Sequence, residues 1–119
     1  MSSLDAPTPE NPVTRDVRLD VRLPAVKAVA RVQAREIRML AGRVAGLHRH
    51  NGPVFGTIVA GAAIYQVDGE AETLLRAGDA FYEPEGARIS RLDATDEGVT
   101  FAAFFLVGDD QEPGELEFL

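Results

Sequence analysis

His48 and His50 are the residues best placed to do chemistry. They are the two histidines of the chain and stand two apart in the run HRH. On a β-strand, residues i and i+2 face the same side, so both imidazoles can converge on one point. Two neutral imidazoles on one point suit a divalent metal, proton transfer or hydrogen bonding to a ligand. With no cysteine in the chain, thiol nucleophiles, cysteine zinc sites, iron–sulfur clusters and disulfide scaffolds are excluded. Further polar candidates are Glu83 in AFYEP, which shares strand parity with Phe81, and Tyr65 in IYQV, which shares parity with Ala63 and Val67. Gln66 then falls on the outer face, and Arg88 is either a rim contact for an anion or a solvated surface arginine.

The elements that position these residues are short and regularly punctuated. Gly42, Gly46, Asn51-Gly52-Pro53, Gly61, Asp68-Gly69, Gly78-Asp79, Pro84-Glu85-Gly86 and Asp96-Glu97-Gly98 act as breaks. Between them lie strand-like pieces at Val54–Val59, Ala62–Val67, Thr73–Arg76, Ala80–Glu83, Arg88–Leu92 and Val99–Val107. Asp68-Gly69 between two apolar runs predicts a hairpin. Alternation at Val17, Leu19, Val21 and Leu23 predicts a strand over Asp16–Leu23, and the turn Ala41-Gly42 favours strand over helix for Val26–Leu40. The run Val99–Val107 is apolar at both parities, which predicts that its outer side is covered by a second sheet or a subunit interface.

With 119 residues, one domain is expected. The expected division is a mobile tail over residues 1–13, a single β-barrel over residues 14–108 and an acidic tail over residues 109–119. Leu116, Phe118 and Leu119 of that last tail are free to dock or to stay loose. A formal net charge of −7 argues against nucleic acid as a partner. No apolar run approaches the roughly 20 residues of a membrane helix, and the N-terminus has acids and prolines where a signal peptide needs a basic flank and an apolar stretch. A cytoplasmic protein without membrane partners is the expectation.

The spacing of glycines, histidines and proline resembles the cupin superfamily, whose first motif is G(X)5HXH(X)3–4E(X)6G and whose second is G(X)5PXG(X)2H(X)3N. GRVAGLHRHNGPVFGTIVAG and GDAFYEPEGARISRLD follow these in register, and FGTIVAG and AGDAFYEPEG look like the corresponding stretches of small single-domain conserved-barrel cupins. The resemblance covers about Gly42–Val107. It implies an all-β fold, a cupin-type double-stranded β-helix or jelly-roll-like barrel, and a four-ligand metal site.

Two of those four ligand positions are aliphatic. Val54 stands at the glutamate position and Ile89 at the second-motif histidine, while Asp93 replaces the final asparagine. Glu83 is the acid nearest the barrel mouth. Related small cupins carry glutamate there beside an intact histidine, so it can serve as ligand, pocket carboxylate or backbone acceptor in the PEG turn. No cofactor is firmly implied; the incomplete set His48 and His50 leaves room for a weakly bound divalent metal. The expected pocket is Val54, Tyr65, Phe81, Glu83, Ile89 and Phe101, with Phe55 nearby, a mainly apolar cavity for a small organic molecule. Three readings follow. The first is binding of a small apolar ligand. The second is a metal-dependent enzyme of dioxygenase or isomerase type using His48, His50 and a carboxylate. The third is a metal-free isomerase or cyclase using the histidines. A homodimer is expected from the resemblance, from the doubly apolar last strand and from Ile64 on the outward parity.

Overall fold

The computed structural model describes residues 6–119. Its elements are β1 (Arg31–Met39), β2 (His48–His50), β3 (Val54–Val67), β4 (Thr73–Arg76), β5 (Ala80–Glu83), β6 (Ile89–Val107) and β7 (Leu116–Phe118). All pairings are antiparallel. The sheet order is β4-β3-β6-β2-β7, with β1 also on β6 and β5 also on β3. Two long strands organise everything. The first half of β3 pairs with the second half of β6, and the second half of β3 pairs with the first half of β6. Each half gains a different outer neighbour, so the sheet folds over on itself and encloses a core. The fold is all-β, as the resemblance implies.

The core follows from alternation. On β6, Val99, Phe101, Ala103, Phe105 and Val107 are buried, whereas Ala102, Phe104 and Leu106 face outward. Their partners on β1 are Met39, Ile37, Arg35, Gln33 and Arg31, which fixes the inward parity of that strand. Phe81 meets Phe101 edge to face, with centroids 5.6 Å apart. Each such buried ring stabilises the fold by about 1.5–3 kcal/mol.

Several expectations are corrected. Gly61 and Gly98 do not end strands. Both have positive φ, 74° and 70°, and the ladder shifts register around Gly61. A Cβ on Gly61 would overlap the Gly98 carbonyl. The two glycines therefore let β3 and β6 bend past each other while pairing continues, and four expected pieces merge into two strands. The Asp68-Gly69 hairpin forms between β3 and β4, with a connection over Asp68–Glu72 rather than a two-residue turn. The piece expected at Val26–Leu40 is a strand only from Arg31 to Met39.

Asp16–Leu23 is not a strand. Val17 is 82% exposed, and Asp16–Leu19 instead lie beside Phe55 and Phe104 on the outside of the sheet. Part of the cover expected for the outer face of β6 is thus this segment of the same chain. Residues 6–13 are largely exposed and belong to no strand, and the rest of the expected tail lies outside the described residues. The acidic C-terminal tail is not wholly separate from the barrel, because Leu116–Phe118 pairs with β2 as β7. No helix among the described residues is long and apolar enough to cross a membrane.

Candidate metal centre

Three strands bring the chemistry together. β2 presents His48 and His50 to the interior, with Arg49 exposed between them. β5 presents Phe81 and Glu83 to the same interior, as alternation predicts. β3, the pairing partner of β5, carries Val54. Val54 is the direct cross-strand partner of Glu83, and such partners project to one face. Glu83 thus places a carboxylate on the strand next to the Val54 position. Gly56 pairs with Phe81, whose ring lies where a Gly56 Cβ would stand. The absent side chain lets that ring fold over β3 and form the cavity wall.

His50 Nε2 lies 3.0 Å from Glu83 Oε2, and His48 Nε2 lies 3.7 Å from Glu83 Oε1. All three side chains are buried, Glu83 to 2% exposure. One ligand atom from each lies within 4.8 Å of the others. His48 Nδ1 sits 2.7 Å from the Gly46 carbonyl. That contact places the proton of a neutral ring on Nδ1 and leaves the Nε2 lone pair facing Glu83. Glu83 Oε1 and His50 Nδ1 are buried without a hydrogen-bond partner among the described residues.

This donor set fits a divalent cation. Ligand distances of about 2.0–2.2 Å place neighbouring donors about 3.0–3.5 Å apart; the 3.0 Å from His50 Nε2 to Glu83 Oε2 falls in that range, and the 3.7 Å from His48 Nε2 runs to the other carboxylate oxygen. Two imidazoles and a carboxylate also make up the donor set of facial-triad metal sites. The incomplete pair expected from the sequence thus gains a third donor in Glu83.

Burial works against charge on both partners, yet their mutual contact prevails. Burial alone pushes the His48 imidazolium down; contact with Glu83, the Gly46 carbonyl and the negative charges of Glu83 and Asp93 outweigh it, and its pKa is raised. Burial alone pushes the Glu83 carboxyl up; contact with His48 and His50 outweighs it, and its pKa is lowered. Glu83 is held as a carboxylate beside a readily protonated imidazole.

The adjoining cavity has a volume of about 190 Å³. Val54, Phe81, Glu83 and Phe101 line it with His48 and His50. Ile89 and Tyr65 do not, which corrects two expected pocket positions. Ile89 is fully buried beside His48 on the paired strand. Tyr65 packs on Phe81, and its hydroxyl donates to the Tyr82 carbonyl. Burial, then the nearby Glu83 charge, pushes its phenol up, so it stays protonated. Phe55 also leaves the cavity and stacks on Tyr82 outside. Gln66 donates to the Glu70 carbonyl, and Arg88 pairs with Asp68 at the surface. Asp93 accepts from the Ala45 amide and from Arg91, tying the β1–β2 connection to β6.

Sequence reading missed Arg35, Ile37, Met39, Leu92, Phe105, Leu116 and Phe118 in the lining. The parity of β1 carried a signal for Arg35, Ile37 and Met39. The β7 residues carried none, because their place depends on a pairing across the length of the chain.

The profile of the cupin domain family matches residues 35–98. No curated protein sequence matches the chain. Among solved structures, the DMSP lyase DddQ from Ruegeria pomeroyi DSS-3 is 22% identical with a TM-score of 0.63, over 73% of this chain and 42% of that one. A cupin-like protein from Thermotoga maritima msb8 is 22% identical with a TM-score of 0.63, over 74% of this chain and 64% of that one. An oxalate decarboxylase from Bacillus subtilis, a protein with Mn(II) centres, is 25% identical with a TM-score of 0.58, over 67% of this chain and 22% of that one. This chain spans less than two thirds of the length of each. The likeness is one of fold.

Proposed function

The chain belongs to the cupin domain family, and on that premise we propose that it holds a divalent metal through His48, His50 and Glu83 and binds a small, largely apolar organic molecule in the adjoining cavity, as a metal-dependent enzyme of dioxygenase or isomerase type. The observation that carries this reading is the convergence of three buried donors at the wall of one cavity. The Mn(II) of the similarly folded oxalate decarboxylase is compatible with it. A metal bound there would supply Lewis-acid polarisation of a ligand oxygen. The chain's own residues do the rest. The Gly46 carbonyl fixes the His48 tautomer, Glu83 supplies the negative charge, and Phe81, Phe101, Phe105 and Leu92 exclude water.

The test is elemental analysis after equilibration with Mn²⁺ or Fe²⁺ and removal of the excess. One ion per chain is expected for wild type, and less than a tenth of that for His50→Ala. A metal-free wild type overturns the reading. It would leave the metal-free alternative, which the 3.0 Å contact between His50 and Glu83 favours as an acid–base pair. The proposal also carries a cytoplasmic homodimer. Val32, exposed on the strand paired with β6, supports the dimer, and sedimentation showing a monomer at micromolar concentration overturns it.

A further inference from the structure

Arg35 is a cation on the wall of this cavity. It stands on the inward parity of β1, opposite Ala103, whose small side chain leaves room for it. Its guanidinium carbon lies 4.9 Å from the centroid of Phe105. Phe105 in turn packs against His50, with ring centroids 5.9 Å apart. A single phenyl ring therefore separates the guanidinium from the donor cluster.

Arg35 has no counter-ion: none of the ion pairs among the described residues involves it. Nη2 donates to the Pro113 carbonyl at 3.0 Å, and Nε donates to the Gln33 amide oxygen. A guanidinium offers five N–H donors in a planar fork, so the Nη1 pair stays uncommitted. Arg35 is exposed, so it stands at the open rim of the cavity; a rim arginine stacked on a ring and left without a carboxylate suits planar two-point recognition of an anion.

The geometry points to a small organic acid as the ligand of this cavity, its carboxylate on Arg35, its apolar body along Phe105 and Phe101, and its far end toward His48, His50 and Glu83. The inference deepens the reading of the cavity as a ligand site and rests on that part of the proposal, not on the metal. Size sets the class. An apolar cavity of about 150 Å³ takes benzene, so about 190 Å³ fits an acid close to benzoate. A purely structural role for Arg35, as a strut for Pro113 and the closely packed Gly114, predicts stability without charge selectivity.

The test is calorimetric titration of the full chain, treated with chelator, with benzoate and with its neutral isostere benzamide. Benzoate is expected to bind at least tenfold more tightly, the factor that a charge-assisted hydrogen bond supplies. Arg35→Met should bring the two within twofold, and Arg35→Lys should keep a preference of several-fold. Equal binding of the two probes, no measurable benzoate binding, or an unchanged preference in Arg35→Met overturns the inference. If Arg35→Met does not fold, the wild-type comparison stands, joined by the Arg35 Nε–H resonance. That resonance should shift with benzoate and not with benzamide; no shift overturns the inference. Benzoate preference in a protein that takes up no metal sinks the metal centre alone. Metal uptake without benzoate preference sinks the acid alone.

Discussion

Glutamine at position 83 separates what the fold needs from what a metal needs. Glu83 is 2% exposed, bonds His50 through one oxygen and leaves the other without a partner. In the metal-free protein, Glu83→Gln weakens a charge-assisted bond worth about 1.5–3 kcal/mol. It also removes a buried ion whose desolvation costs several kcal/mol. The amide oxygen still accepts from His50, so the two effects offset to within about 2 kcal/mol. With metal the balance changes. A ligand at one hundred times its Kd stabilises by about 2.7 kcal/mol. For a domain of this length, 1 kcal/mol moves Tm by about 3–6 °C. Wild type should therefore gain about 8–16 °C with Mn²⁺ at that level. Two imidazoles alone bind at least about a hundredfold more weakly, which leaves about 0.4 kcal/mol and a gain of about 1–3 °C for Glu83→Gln. Thermal unfolding followed by circular dichroism, with and without Mn²⁺, reads both numbers. Equal gains in the two proteins would refute the assignment of Glu83 as a ligand.

Three further outcomes are expected. The raised His48 pKa stabilises the fold fully below the ordinary value of 6.5, and that contribution is lost as pH rises through the raised value. The lowered Glu83 pKa stabilises above 4.5 and is lost as pH falls through the lowered value. The pair's contribution to the metal-free protein should therefore be largest between about pH 4.5 and 6.5, and His48→Gln should abolish the decline above pH 6.5 in urea titrations run across pH. Tyr65→Phe removes one buried hydroxyl bond and should cost about 1 kcal/mol in the same titrations; metal affinity lowered tenfold would return Tyr65 to the site. Removing residues 116–119 strips Leu116 and Phe118 from the cavity wall. Release of bound metal to a chelator, measured by stopped flow, should then speed up at least tenfold; an unchanged rate would show that β7 does not cover the site.

Which features were legible follows from their range. His48 and His50 were readable because strand parity is local, and Glu83 because it shares a parity with Phe81. The glycine and proline turns were readable because positive φ or a missing N–H constrains one or two residues. Asp16–Leu23 misled because alternation states what a strand would bury, not whether a partner edge exists. Gly61 and Gly98 misled because glycine that ends a strand and glycine that bends one look alike until a partner strand is known. Most consequential was the direct pairing of Val54 with Glu83. From sequence, Val54 marks a lost ligand. Across the sheet, it faces the carboxylate that we propose takes its place.

That relocation is the central claim, and Co²⁺ titration followed by visible absorbance tests it most directly. Wild type should saturate at one Co²⁺ per chain. Glu83→Val should bind at least about a hundredfold more weakly, and Val54→Glu with Glu83→Val should recover to within about tenfold of wild type. A Glu83→Val protein that binds Co²⁺ as tightly as wild type would contradict the account.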